Sequence, residues 1–306
     1  MNLTRRQMLQ AGVLATVSSP WLNGLAPDHA PLWAADETAK NRKKILFFTK
    51  SSTFEHSVVK RTQGAPAYAE RLLQEFAGAA GFDVEATKDG TVFDGDLSKY
   101  DGFFFYTTGD LTQTGTDKQP AMTQAGKQRL LDAVAAGKAF LGSHCASDTF
   151  HSAGKAFATQ TELDPYIAML GGEFIRHGRQ QTARMKTVDL KFPGADGAGQ
   201  GFDLNEEWYS LKNFAADMHV ILVQETQGMQ DKDYDRPPYP ATWARRHHYG
   251  RVFYTSMGHR EDVWANPIFQ KMIVGALRWA TKQADADLTP NIQQVTPQAN
   301  TLPIVD

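Results

Sequence analysis

The run Phe140-Leu141-Gly142-Ser143-His144-Cys145-Ala146-Ser147-Asp148 constrains this chain more than any other stretch. An apolar strand ends abruptly in small residues. Gly-x-(tip)-x-small after a strand reads as a sharp strand-to-helix turn that lifts one side chain above the sheet edge. Small neighbours are needed because such a turn is crowded. The expected tip is His144, exposed, with Cys145 one step beyond. An imidazole there points to acid/base or metal chemistry, not to thiolate or alkoxide attack.

The rest of the first half supplies a framework for that turn. Lys44 to Thr49 (KILFFT), Gly102 to Thr107 (GFFFYT) and Ala139 to Gly142 are short apolar runs, the mark of strands buried on both faces, and Phe82 to Ala86 reads as a further short strand. Ala65 to Ala79 carries Tyr68, Leu72, Leu73 and Phe76 at helical spacing. Thr123 to Ala136 does so with Leu130, Leu131 and Val134. This β-α-β-β-α-β order predicts an α/β fold whose mostly parallel sheet is flanked by helices. Ligands of such sheets bind at the carboxyl ends of the strands. The loops with His56, Gly109-Asp110 and His144 are expected to open there.

The second half is richer in β patterns. Thr182 to Leu190 alternates like a half-exposed strand, and Phe192 to Gly201 reads as a Gly/Pro loop. Met218 to Gln224, Ala241 to Arg246 and Gly250 to Met257 read as strands, the last two as a hairpin with His247-His248 in its turn. Asn266 to Ala280 is expected to close the fold as a helix. Residues 282–306 form a polar tail with three prolines, expected to be irregular.

Residues 1–35 read as a signal peptide. Thr4-Arg5-Arg6-Gln7-Met8-Leu9 is a twin-arginine pattern, a weakly apolar stretch follows to Leu22, and Ala34-Ala35 offers small residues for cleavage. The expectation is export by the twin-arginine route to the periplasm or beyond. The apolar stretch is too short and interrupted to span a membrane. A net charge of −2 over 306 residues, without a basic stripe, argues against nucleic acid as a partner. The single cysteine permits no internal disulfide. Cys145 reads as a small buried filler.

Other side chains suggest a sugar site. Glu206 and Glu207 precede Trp208-Tyr209, and an aromatic plane beside a carboxylate suits a pyranose: the ring covers its apolar face and the acid takes its hydroxyls. Asp148 would orient His144, accept a substrate hydroxyl, or cap the first turn. Arg260 is a candidate for a substrate oxygen or a partner for Glu261 or Asp262. His177, with Arg179 nearby, reads as a surface loop, with phosphate binding the weaker reading.

Five motifs together resemble the ThuA-like (trehalose-utilisation) family. They are KILFFTKSSTFEHS, GSHCASDTF around His144, GGEFIRH ending in His177, NEEWYSLKN around Trp208, and TWARRHHYGRVFYTSMGH ending in His259. The resemblance spans roughly residues 44–281. It implies a flavodoxin-like three-layer sandwich like that of class I glutamine amidotransferases, here with an added β-rich carboxyl-terminal part. It also implies a pocket lined by His56, His144, Asp148, Glu207, Trp208 and His259, with His259 where those folds keep a catalytic histidine. The amidotransferase nucleophile is a cysteine at the turn's tip. His144 in its place rules out a glutaminase thioester mechanism.

The family is associated with breakdown of disaccharides, notably through sugars oxidised to a 3-keto group. Three readings follow. In the first, His144, His259 and Asp148 carry acid/base chemistry on an oxidised glycoside, with His56, Glu207, Trp208 and Arg260 binding substrate. In the second, the chain is a non-catalytic sugar-binding module of an exported complex. In the third, His56, His144 and His259 are candidates, together with Glu207, for a His/carboxylate site that holds a divalent metal with an open position for water in a hydrolase, although no close ligand motif such as H-E-x-x-H is present.

Overall fold

A computed structural model describes residues 42–304. The expected signal peptide, residues 1–35, lies outside them. Among the described residues, nine strands form one sheet in the order β2-β1-β3-β4-β11-β10-β9-β6-β7. Its first half is β1 (Lys43–Phe48), β2 (Phe82–Thr87), β3 (Gly102–Phe105) and β4 (Ala139–Ser143), every neighbouring pair parallel. The last strand in sequence, β11 (Gly250–Thr255), returns to pair parallel with β4.

The other half is antiparallel. It comprises β6 (Gln181–Thr187), β7 (Gly201–Glu206), β9 (His219–Gln224) and β10 (Tyr239–His247). The parallel expectation thus holds for one half, and the β-rich second half extends the same sheet. A separate ribbon joins β5 (Glu173–His177) to β8 (Tyr209–Lys212).

Helices α1 (Tyr68–Ala79), α4 (Glu261–Trp264) and α5 (Pro267–Ala280) pack together, and α2 (Gln124–Ala135) packs with α3 (Pro165–Leu170). Local chemistry explains the helix starts. Thr123 accepts the Gly126 N–H ahead of α2, and Asn266 accepts the Ile268 N–H ahead of α5, where Pro267 takes the first helical position. The α5 face bearing Phe269, Met272, Ile273, Ala276 and Leu277 is buried, as its spacing requires. The parallel strands are sealed between the layers by aromatic contacts such as Phe47–Phe104 and Phe105–Phe140.

The polar tail lies against the body. Its short helix α6 (Ile292–Val295) buries Ile292, and Asn291 exchanges hydrogen bonds with Val220 of β9. No helix among the described residues is long and apolar enough to cross a membrane.

Candidate functional site

His144 sits at the end of β4 with φ +46°, a left-handed conformation that costs a non-glycine residue energy. The turn is as crowded as the sequence implies: a Cβ on Gly142 would meet the Ala146 Cβ at 3.0 Å. The tip is not exposed, however. His144 is fully buried beneath neighbouring polar and aromatic groups. Its ring lies 4.0 Å, centroid to centroid, from that of Tyr209, the first residue of β8. Its Nδ1 stands 3.2 Å from the Ser256 carbonyl, an acceptor only, so Nδ1 carries the proton and Nε2 keeps a lone pair in the neutral ring.

That nitrogen faces three side chains from distant parts of the chain. His259 Nδ1 lies 3.3 Å away and Glu207 Oε1 3.7 Å away. The His56 ring is edge-on to both histidines, at 5.0 Å from His144 and 5.1 Å from His259. His56 follows β1, Glu207 follows β7 and His259 follows β11, so three strand ends of the main sheet join the elbow of β4. One ligand atom from each of His56, His144, Glu207 and His259 lies within 4.8 Å of all the others.

Electrostatics follow from this crowding. Burial, then the neighbouring imidazoles, hold His56 well below its ordinary pKa. Burial drives His144 down to about 4, against the pull of Glu207. Burial would raise Glu207, but hydrogen bonds from His144 and His259 outweigh it and hold the carboxyl well below the usual range. Glu207 in turn raises His259 against its own burial. At neutral pH the cluster therefore offers two neutral imidazoles, His56 and His144, and an ionised Glu207, whereas Glu207 favours the protonated form of His259, a proton that a cation would displace. His56 Nδ1 is buried with no hydrogen-bond partner, which a ligand bond would satisfy. Three imidazoles and one carboxylate suit a first-row divalent metal such as zinc, iron or manganese better than calcium.

A buried carboxylate fixes two of these ligands in place. Glu206, fully buried, accepts the backbone N–H of Glu207 and of His259 on Oε1, each at 3.0 Å, and that of Gly258 on Oε2 at 3.3 Å. Gly258 is at φ +127°, and a Cβ there would come 2.6 Å from Ser143 Oγ, so only glycine lets the β11 loop approach the elbow this closely.

Three sequence candidates lie elsewhere. Asp148 does not orient His144; its Oδ1 bonds His151 Nε2 at 2.7 Å, because the 3-10 turn from His144 to Asp148 carries it away from the cluster. Trp208 offers no stacking face: it is fully buried and its indole N–H donates to the Gln181 carbonyl. Arg260 sits at the rim, paired with Asp262 and donating to Gln180 Oε1. Cys145 is buried and its thiol is pushed up by that burial, consistent with a filler.

Two residues join the site that the sequence did not single out for it. Gln180 Nε2 contacts His259 Nε2 at 2.9 Å. His177 Nε2 lies 3.5 Å from Glu207 Oε1, and its ring stacks on Tyr209 with an interplanar angle of 14°. Its Nδ1 bonds the Gly178 carbonyl, so Nε2 is the lone-pair nitrogen of the neutral ring. The β5–β8 register, which sets His177 opposite Tyr209, creates this arrangement. Nothing short of that pairing signals it.

The sequence matches the family described as ThuA, trehalose utilisation, over residues 44–280. The chain belongs to the ThuA family. Two solved ThuA-like proteins are similar to it in fold. One, from Bacteroides uniformis, is 17% identical with a TM-score of 0.54, covering 80% of this chain and 94% of its own. The other, from Parabacteroides merdae, is 17% identical with a TM-score of 0.55, covering 81% and 92%. A search of curated proteins finds no match. Within this ThuA chain, the turn that follows β4 presents a buried histidine to two other histidines and a glutamate.

Proposed function

We propose that this chain is a metal-assisted carbohydrate-processing enzyme that cleaves oxidised glycosides, its centre held by His56, His144, Glu207 and His259. One observation carries the reading: four ligand atoms from four separate loops converge within 4.8 Å. The family description directs it to disaccharides such as trehalose, and the chemistry favours a 3-keto form. A ketone at C3 acidifies the C2 proton and lets the C1 substituent depart. A divalent ion bound here would stabilise negative charge developing on the ketone oxygen.

The chain's own residues then divide the work differently from the sequence expectation. His144 is too buried and too weakly basic to remove a substrate proton, so it serves as a ligand. His177, half-exposed with its Nε2 toward the cluster, is the better base. It takes the C2 proton, the C1–O bond breaks, and the protonated His177 returns that proton to the departing oxygen, leaving an unsaturated 3-keto sugar and a free sugar. Tyr209 covers the buried side and excludes water from His144. Export through the twin-arginine leader is part of this proposal, and cell fractionation with a processed amino terminus is its check.

The test is product analysis by NMR after incubation with 3-keto-trehalose, with and without a divalent ion, alongside elemental analysis. Bound metal in near one-to-one ratio and metal-dependent turnover are expected. Turnover that survives complete metal removal would refute the reading.

A further inference from the structure

Phe54 stands two residues before His56 in the KILFFTKSSTFEHS segment, and the proposed chemistry leaves it without a part. Its side chain is 62% exposed. Single exposed apolar residues are common on soluble proteins and mean little alone. This one differs in what it touches. Of the large apolar side chains exposed among the described residues, it is the one whose ring contacts the cluster. It lies 4.9 Å, centroid to centroid, from the His56 ring at an interplanar angle of 90°. A perpendicular contact occupies at most one face of the phenyl ring and leaves the other to solvent.

The exposure is built on an anchored loop. Thr108 Oγ1 donates to the Phe54 carbonyl at 2.9 Å and accepts the Thr53 N–H at 3.4 Å. Glu55 pairs with the buried Lys88 at 3.1 Å. Ser57 Oγ donates to Glu261 Oε1 at 2.6 Å, which ties this loop to the one that follows His259. The backbone around Phe54 is thus fastened to three elements: Thr108 follows β3, Lys88 follows β2 and Glu261 begins α4. The ring itself is held in water at the edge of the cluster. A ligand that covers it removes apolar surface from water and has little loop to order in return. A phenyl face beside three imidazoles and a carboxylate suits a ligand with an apolar face and a polar edge, as a pyranose has.

We propose that Phe54 is the aromatic platform of the substrate site, on which a pyranose ring lays its C–H face while its oxygens turn to the cluster. It takes the part that the buried Trp208 cannot, and it rests on the function proposed above. The contact is made alike in the ground state and the transition state, so its loss raises KM and spares kcat.

Calorimetry with trehalose and kinetics with 3-keto-trehalose test it on the full chain, with metal content measured alongside. Phe54→Ala should weaken trehalose binding and raise KM about tenfold each, with kcat and metal content as in the wild type. Phe54→Trp should restore both constants, and the introduced indole should shift its emission when trehalose is added. Binding and KM unmoved in Phe54→Ala would overturn the platform. Metal lost in Phe54→Ala would also overturn it, because the ring would then be a cover for His56. Trehalose binding weakened in Phe54→Ala, with no wild-type turnover of the 3-keto form, would refute the chemistry of the cluster and keep the platform. Wild-type turnover with KM unmoved in the variant would do the reverse. A wild-type protein that neither binds nor turns over these sugars would refute both.

Discussion

His144 is closed off from solvent, whereas His177 keeps 42% of its side chain exposed, and both face Glu207. This difference separates a ligand from a base, and substitution can tell them apart. His144→Asn is the informative variant, since asparagine tolerates the left-handed backbone at this position better than alanine does. It should reduce metal affinity more than about tenfold, by analogy with the loss of supporting groups around metal sites. His177→Gln should leave metal content intact and lower kcat by roughly 10²–10⁴-fold, the range for removal of a general base. Elemental analysis together with steady-state kinetics on both variants checks the division.

His151 supplies a pH prediction at the same scale. Asp148 and Glu173 outweigh its burial and raise it to about 9 from an unfolded value near 6.5. The folded state therefore binds the proton more tightly than the unfolded chain. The stabilisation is fully present below about pH 6.5 and is lost as pH rises through about 9. Solvent screening of this half-exposed ring keeps the effect modest. The melting-temperature gap between wild type and His151→Gln should be largest near pH 6 and close by pH 10. A gap that widened over that interval would contradict the assignment.

At the scale of elements, the centre depends on joining the end of β7 to the end of β11. Glu206 makes that joint by accepting backbone N–H groups from both loops. A glutamine has one acceptor oxygen in place of two and turns an NH₂ toward the remaining donors. Glu206→Gln should therefore lower metal affinity by about 10–100-fold, the range for groups that orient ligands. A titration with the metal ion measures this; a melting temperature alone would not separate positioning from general stability. Gln180 belongs to the same shell. Its Oε1 receives Arg260, so its NH₂ donates to His259 Nε2 and the neutral His259 carries its proton on Nδ1, toward Glu207. A cation on Nδ1 requires that proton to shift, with the Gln180 amide turning to accept it.

Much of this architecture was legible in the sequence because its signals are local. Apolar runs such as KILFF and GFFF, Thr123 and Asn266 as caps, and the Gly-Ser-His-Cys-Ala turn each depend on near neighbours. His56, His144, Glu207 and His259 were found as candidates through motifs. Their convergence and the part of His177 depend on strand pairing, chiefly β5 with β8, in which Phe174-Ile175-Arg176-His177 lacks clean alternation. Trp208 misled for a related reason. Its neighbour Glu207 reaches the cluster, and the alternation of an extended chain sends Trp208 to the opposite side, into the core.

Across the whole molecule, the last residues act as a strap that is tied to the site through one arginine. The buried Arg236 guanidinium donates to Ser210 Oγ and to the Leu211 carbonyl of β8, and to the Ala299 carbonyl of the tail at 2.5 Å. Asn300 and Phe214 exchange a further pair of bonds next to β8. Strand β8 begins at Tyr209, which covers His144. Removing residues 285–306 would uncover Ile292's seat against β9 and strip a buried cation of one acceptor. Burial of one aliphatic side chain contributes about 1.5–3 kcal/mol, and an unsatisfied buried polar group costs about 1–3 kcal/mol. The truncated chain should therefore lose about 3 kcal/mol or more in urea unfolding, with a lower midpoint. Its ligand residues all lie before the cut, so metal stoichiometry should persist at low urea. If the tail merely decorated the surface, the midpoint would not move. If it formed part of the centre itself, metal binding would vanish before stability did.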